Sequence, residues 1–322
     1  MGLTRFGFQI PSFTLPDVPD VELFEKLASI AVTAEEAGFD SLWVMDHLIQ
    51  IPTMGSPLQP MLEPYALLSG LAARTHTAKL GALVTGVTYR NPAMLAKTVT
   101  TLDVISSGRA ILGIGAAWFD VEHRAYGYDF PPVRERMDRL EETLQICRAM
   151  FTQDAPSFEG RYHRIVDCLN LPRPVSPGGP PILVGGGGER RTLRLVAAYA
   201  DACNVFGDAA TVRHKVGVLR RHCEELGRDP AEVTTTRLGA IVLGESSAEA
   251  ARKGAVLREA RGMGMEKYRA YAVEGDADAV EAQVQELFDA GLDGLVFNMG
   301  DVDDLDAVRA AGELLSSRFG PG

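Results

Sequence analysis

Apolar residues along this chain follow two periodicities that alternate from end to end. Short, nearly uninterrupted apolar runs occupy residues 5–10, 41–46, 79–85, 110–115, 181–185, 202–206, 236–243 and 294–299. Runs of that length, rich in Val, Ile, Leu and Phe, read as buried strands. Between them apolar residues recur every three or four positions, as on a helix, over 21–37, 64–75, 92–105, 133–151, 191–200, 209–226, 248–261 with 277–290, and 305–318. The clearest stripe is Met137, Leu140, Leu144, Cys147 and Phe151, with charges on the remaining faces. Asp20 and Asp208 are placed to cap helices, Ser246 with Glu249 forms a capping box, and Gly38, Gly227 and Gly291 are placed to end helices.

Eight strand–helix units in series predict a parallel sheet with right-handed crossovers, closed as a single (β/α)8 TIM barrel over residues 1–322. The competing arrangement is an open doubly wound sheet, for which the long connection 152–179 leaves room. That connection is rich in Pro and Gly and carries Glu159-Gly160-Arg161-Tyr162-His163, which marks an ordered excursion and not a linker between domains. The loop 49–62 follows the second strand and is expected over the barrel mouth.

The passage from Pro181 to Leu193 speaks most directly of a ligand. A short strand runs into Gly185, Gly186, Gly187 and Gly188, and a helix follows. Four glycines leave backbone N–H groups uncovered and free to adopt positive φ, and a helix N-terminus favours negative charge. Arg190, Arg191 and Arg194 can add a cation, so the turn reads as a phosphate site; the alternative is a turn that only lets helix pack on strand. Other candidates stand at the ends of strands, where barrel active sites lie. After the second strand come Asp46 and His47; after the third, Thr85 to Thr88; after the fourth, Gly115 to Asp120, then Glu122 and His123; after the sixth, Asn204 and Gly207; after the eighth, Asn298. His47 can donate a proton or polarise a carbonyl, or only shape a wall. Asp46 can accept a ligand N–H, or bond its own turn. Trp118 either lines a pocket or packs beneath it.

Composition narrows the rest. With 46% apolar residues over 322 positions the chain can build a sizeable core. A net charge of −11 weighs against a nucleic-acid or anionic-membrane partner and means that an anionic ligand needs local cations. No apolar run is long enough to span a membrane, and Met1 to Phe8 carries no signal-peptide pattern. Cys147, Cys168, Cys203 and Cys223 form no Cys-x-x-Cys pair and read as reduced thiols, so a cytoplasmic protein is expected. The six histidines show no paired-ligand spacing, so no metal site is expected. Neither a Gly-x-Ser-x-Gly elbow nor a P-loop occurs. Gly113-Ile114-Gly115 is followed by Trp118 where a dinucleotide fingerprint needs a small residue.

Several blocks together resemble the bacterial-luciferase-like superfamily of flavin- and deazaflavin-dependent oxidoreductases. They are Trp43-Val44-Met45-Asp46-His47; Leu80-Gly81 to Tyr89-Arg90-Asn91-Pro92; Ser106 to Trp118; and Pro181 to Leu195 with Tyr199 to Asn204. The chain is most similar to the branch that uses the deazaflavin coenzyme F420, where Asp-His ends the second strand. The resemblance implies a hydride-transferring oxidoreductase acting on a small organic substrate, with His47 near the reactive carbon of the cofactor and handling the proton. Asp46 would lie beside the ring. Leu83 and Val84, with Thr85, would form a bulge behind it, built in the family on a non-proline cis peptide. Gly185 to Gly188, with Arg190, would hold the phosphate, and Trp118 and Asn204 would border the substrate. Some sugar-phosphate dehydrogenases of the family carry Glu where this chain has Trp118, which points here to an apolar substrate. The resemblance further implies a homodimer, consistent with the few charges on the helices over 64–75 and 92–105. The alternative reading is an FMN-dependent monooxygenase served by a separate cofactor reductase.

Overall fold

The computed structural model describes residues 3–320. Eight strands form the barrel: β1 (Phe6–Ile10), β2 (Ser41–Val44), β3 (Lys79–Ala82), β4 (Ala110–Gly115), β5 (Ile182–Gly185), β6 (Ala202–Val205), β7 (Thr234–Leu243) and β8 (Gly294–Asn298). Each pairs in parallel with the next. β8 returns to β1 with Leu295 opposite Phe6, so the sheet closes. The eight runs read from the sequence are these eight strands, and the open-sheet alternative is excluded.

Two layers of apolar side chains hold the barrel. Between strands and outer helices lies the large core that includes Phe8, Leu27, Leu68, Val99, Leu144 and Val308. Inside the barrel, Trp43, Ile111, Leu183, Ala202 and Val296 pack together with Leu83. Trp43 fits because Gly7 and Gly81 flank it: a Cβ on either would approach the indole to 2.7 Å. Its Nε1 donates to Ser41 Oγ at 2.8 Å, so the buried indole has its partner.

The helix signals divide. Asp208 accepts from Thr211 N and Ser246 from Glu249 N, as capping predicts. Gly38, Gly227 and Gly291 end their helices at positive φ. Asp20 does not cap: it is the first residue of Asp20–Glu36, Pro19 holds the cap position, and no side-chain cap bond forms. A segment expected to be loop carries a further parallel strand, Ala272–Gly275, paired to the outer half of the ten-residue β7.

Both long connections are ordered. The 152–179 excursion carries a small hairpin, Phe158–Glu159 against Arg164–Ile165. The Glu142 carboxylate holds its tip through the amides of Arg161, Tyr162 and His163, and Asp103 anchors its far end through Val175 N and Ser176. The 49–62 loop returns to the mouth, where Ile51 packs with Met45 and Phe119. Among the described residues no helix is long and apolar enough to cross a membrane, no group of metal-binding side chains occurs, and all four cysteines are free.

Candidate active site

The strand ends converge on a cavity of about 380 Å³ at the C-terminal mouth of the barrel. Its floor is the segment joining β3 to Thr85–Gly86. The Leu83–Val84 peptide there is cis, as the resemblance implies. Val84 sits against Gly115 and Gly185, where a Cβ would come within 2.9 Å of its methyl groups, so both strands need glycine at that level. Thr85 then pairs with Ile114 and bonds the Tyr65 hydroxyl at 2.7 Å.

One wall is a side-chain network. His47, just past β2, meets Glu122 at 2.8 Å from Nδ1 to Oε1. Glu122 stands on Asp120–Tyr126, a seven-residue helix that starts beyond Ala117, held at φ 59°, and ends at Gly127. Its side chain is fully buried and accepts from four donors: His47, the Tyr89 hydroxyl, and the backbone amides of Leu48 and Ile49. Burial pushes this carboxyl up, but hydrogen bonds from His47 and Tyr89 outweigh it and hold Glu122 below the usual carboxylate range. Burial and the same carboxylate push the Tyr89 phenol well above its ordinary value. An ionised carboxylate only accepts, so the His47 Nδ1 carries the hydrogen and Nε2 is the nitrogen left for a ligand.

Asp46 is committed differently. Its buried carboxylate takes both terminal nitrogens of Arg90, at 2.7 and 2.9 Å, and the Gly86 amide at 2.9 Å. Burial raises its carboxyl above the ordinary range despite these partners. Arg90 continues to Glu63 at 2.6 Å, whose other oxygen caps Pro64–Ala72, tying the end of the 49–62 loop to the cavity wall.

The facing wall is backbone. Gly185 to Gly188 all line the cavity, together with Thr192. Gly186 lies at φ 119° and its amide donates to Asn204 O. The helix Thr192–Tyr199 follows with no side-chain cap bond; its Leu193 amide donates back to Gly188 O at 3.0 Å, and the helix dipole still favours an anion at this end. Asn204 lines the same cavity from within β6, its amide donating to Thr236 Oγ1 at 2.9 Å. Apolar side chains complete the lining: Trp118, Val133, Met137, Phe206 and Leu238. Trp118 is half exposed and meets His47 edge to face at 5.7 Å.

Of the residues singled out in the sequence, Asp46, His47, Leu83, Val84, Thr85, Trp118, Gly185 to Gly188 and Asn204 come together here. Arg190 does not: it lines a separate pocket with Glu141, Arg191 and Arg194. Asn298 also faces elsewhere, bonded to Gln9, Arg261 and Tyr271. The structure adds Tyr89, and shows that Glu122, noted in the sequence after the fourth strand, is the partner of His47. Tyr89 stands inside a block quoted above, but a bond between His47 and Glu122, 75 positions apart, leaves no periodic trace.

The family model for luciferase-like monooxygenases matches residues 4–311, and the chain belongs to that family. It is 35% identical over 177 residues to an F420-dependent glucose-6-phosphate dehydrogenase of Amycolatopsis mediterranei, covering 54% of this chain and 50% of that protein. With the protein of the same name from Kineococcus radiotolerans it shares 38% over 171 residues, 51% of this chain and 47% of the other. The chain thus matches about half the length of these curated relatives. Among solved structures it resembles a coenzyme F420-dependent tetrahydromethanopterin reductase of Methanopyrus kandleri, with TM-score 0.78, 18% identity and 98% of both chains covered. It also resembles a monooxygenase of Streptomyces bottropensis, with TM-score 0.81, 20% identity and 98% of both chains covered. At such identities these likenesses establish the fold.

Proposed function

We propose that this protein is an F420-dependent oxidoreductase that moves a hydride between the deazaflavin and a small, weakly polar organic substrate. One observation carries the reading: a histidine whose proton-bearing nitrogen is fixed by a buried carboxylate shares one cavity with an uncapped glycine turn. The residues fit such a cofactor. Gly185 to Gly188 and the helix N-terminus at Thr192 suit a phosphate, and the Val84 floor suits a flat ring. The names of curated relatives that share a third or more of their aligned residues, those of Amycolatopsis mediterranei and Kineococcus radiotolerans among them, support F420 over FMN.

When bound, the cofactor supplies or accepts the hydride. The rest is the work of this chain. His47 Nε2 takes the hydroxyl proton when an alcohol is oxidised, or returns it to the oxygen when a carbonyl is reduced. Glu122 fixes the imidazole tautomer and its orientation. Val133, Met137, Phe206 and Leu238 give the cavity an apolar lining, and among the described residues no Lys or Arg lines it to hold a substrate phosphate. This favours an apolar substrate beside Trp118 over a sugar phosphate.

The test is anaerobic turnover with F420 against secondary alcohols, ketones and sugar phosphates. Oxygen-independent turnover of the uncharged compounds is expected; turnover that requires FMN and molecular oxygen would replace this reading with the monooxygenase one. That alternative draws on the shared fold with a monooxygenase, and would bring in a separate reductase. The free thiols suit a reducing compartment, and we read the protein as cytoplasmic. Exposed Met94, Ile105, Leu169 and Leu171 offer an apolar face to a second copy. Sedimentation at micromolar concentration separates the expected homodimer from a 34.7 kDa monomer.

A further inference from the structure

An acid directly follows the glycine turn. Glu189, next in the chain after Gly188, is neutralised in place: its Oε1 accepts from Lys215 Nζ at 2.6 Å and lies 3.1 Å from His214 Nε2. Lys215 comes from the next helix, Ala209–Glu225, and its stem lies across the bare face of Gly187. A Cβ on Gly187 would stand 3.6 Å from Lys215 Cε and 3.9 Å from Cδ. Two of the neighbouring arginines are paired elsewhere, and the third faces another pocket. Arg191 bonds Asp138 at 2.6 Å, Arg194 reaches Glu225 at 3.4 Å, and Arg190 borders the pocket beside Glu141.

We propose that Lys215 is the cation of the phosphate cradle and Glu189 its resting counter-ion, so that a cofactor phosphate draws Lys215 away from Glu189 on binding. This rests on reading the glycine turn as the phosphate site. Both partners of the resting pair are partly exposed, so the exchange costs little, whereas a phosphate at the helix N-terminus gains a charge-assisted bond. Glu189 thereby tunes affinity. It competes for the same ammonium and keeps smaller, singly charged anions from holding it.

The two members make opposite predictions. Lys215→Gln is expected to raise the dissociation constant for cofactor ~10-fold and to flatten its salt dependence. Lys215→Arg is expected to restore most of the affinity, and Glu189→Gln to tighten binding by roughly threefold. The double variant Lys215→Gln with Glu189→Gln should bind like Lys215→Gln alone. Binding is read by titration calorimetry with F420 and with FMN, which share a ribityl phosphate, and by competition with inorganic phosphate. Thermal midpoints check that each variant is folded. Parent-like affinity in Lys215→Gln, or weaker binding in Glu189→Gln, overturns the proposal whichever cofactor binds. If FMN alone binds, the F420 reading fails, while the shifts in FMN affinity still decide the roles of Lys215 and Glu189.

Discussion

On one side of the cavity His47, Tyr89 and two loop amides share a single buried carboxylate; on the other, four glycines present bare backbone to the same space. The first wall stores its function in side chains that depend on one another, and each is there because another satisfies it. The second stores function in what is missing, namely Cβ atoms and a helix cap. Substitutions should therefore act differently on the two walls. In the network they should disturb chemistry and fold together. In the turn they should disturb ligand affinity and leave the barrel largely intact.

Glu122 offers the hardest way to break that contrast. Glu122→Ala strands four donors, two of them, His47 and Tyr89, in the cavity wall, at about 1–3 kcal/mol for each one left without a partner. Chemical denaturation should show a loss of about 3 kcal/mol or more, and turnover should fall ~10³-fold. Glu122→Gln keeps the shape but not the charge, so turnover should fall ~10²-fold with a smaller loss of stability. His47→Ala should likewise cost ~10² in turnover while cofactor affinity changes far less. If His47→Ala loses affinity at unchanged turnover, His47 positions the ligand and transfers no proton.

The glycine wall should respond in affinity. Gly186→Val forces a side chain into φ 119° and should weaken cofactor binding more than ~10-fold, with turnover at saturation little changed. Gly187→Val is the sharper probe, because a Cβ there meets only the Lys215 stem at ordinary contact distance in the free protein. A loss of affinity in that variant reports on ligand approach and not on strain. If both variants bind like the parent, the phosphate sits elsewhere.

Much of this was legible in the chain. Buried parallel strands are short apolar runs, and a run of four glycines stands out because it leaves the backbone bare; hence the eight strands and the turn at Gly185 to Gly188. The cap at Asp20 was misread because a Pro-Asp start offers two cap candidates one residue apart, and proline takes the position with its own fixed φ. The strand Ala272–Gly275 was missed because it pairs only with the overhang of β7, an edge position that asks for little apolar character. Arg190 was grouped with the phosphate turn by proximity in sequence. The turn directs Arg190 outward, while Lys215, 28 positions after Gly187, arrives from the neighbouring helix. The Glu122–His47 bond depends on closure of the barrel, and no local pattern announces it.

A smaller effect separates the walls in acid. The folded pKa of Glu122 is depressed, so its contribution to stability is present above the ordinary carboxylate pKa near 4.5 and is lost as pH falls through the depressed folded value. Glu122→Gln should therefore flatten the decline in stability below about pH 4.5, measured by denaturation across an acid series. An unchanged slope would mean that other carboxylates dominate acid unfolding.

The most direct test of the central claim is titration of the apoprotein with F420 and with FMN at low and high salt. The account predicts tighter binding of F420, weakening as salt screens its anionic tail and phosphate from Lys215 and the helix amides. Tighter binding of FMN, or F420 affinity indifferent to salt, would contradict it.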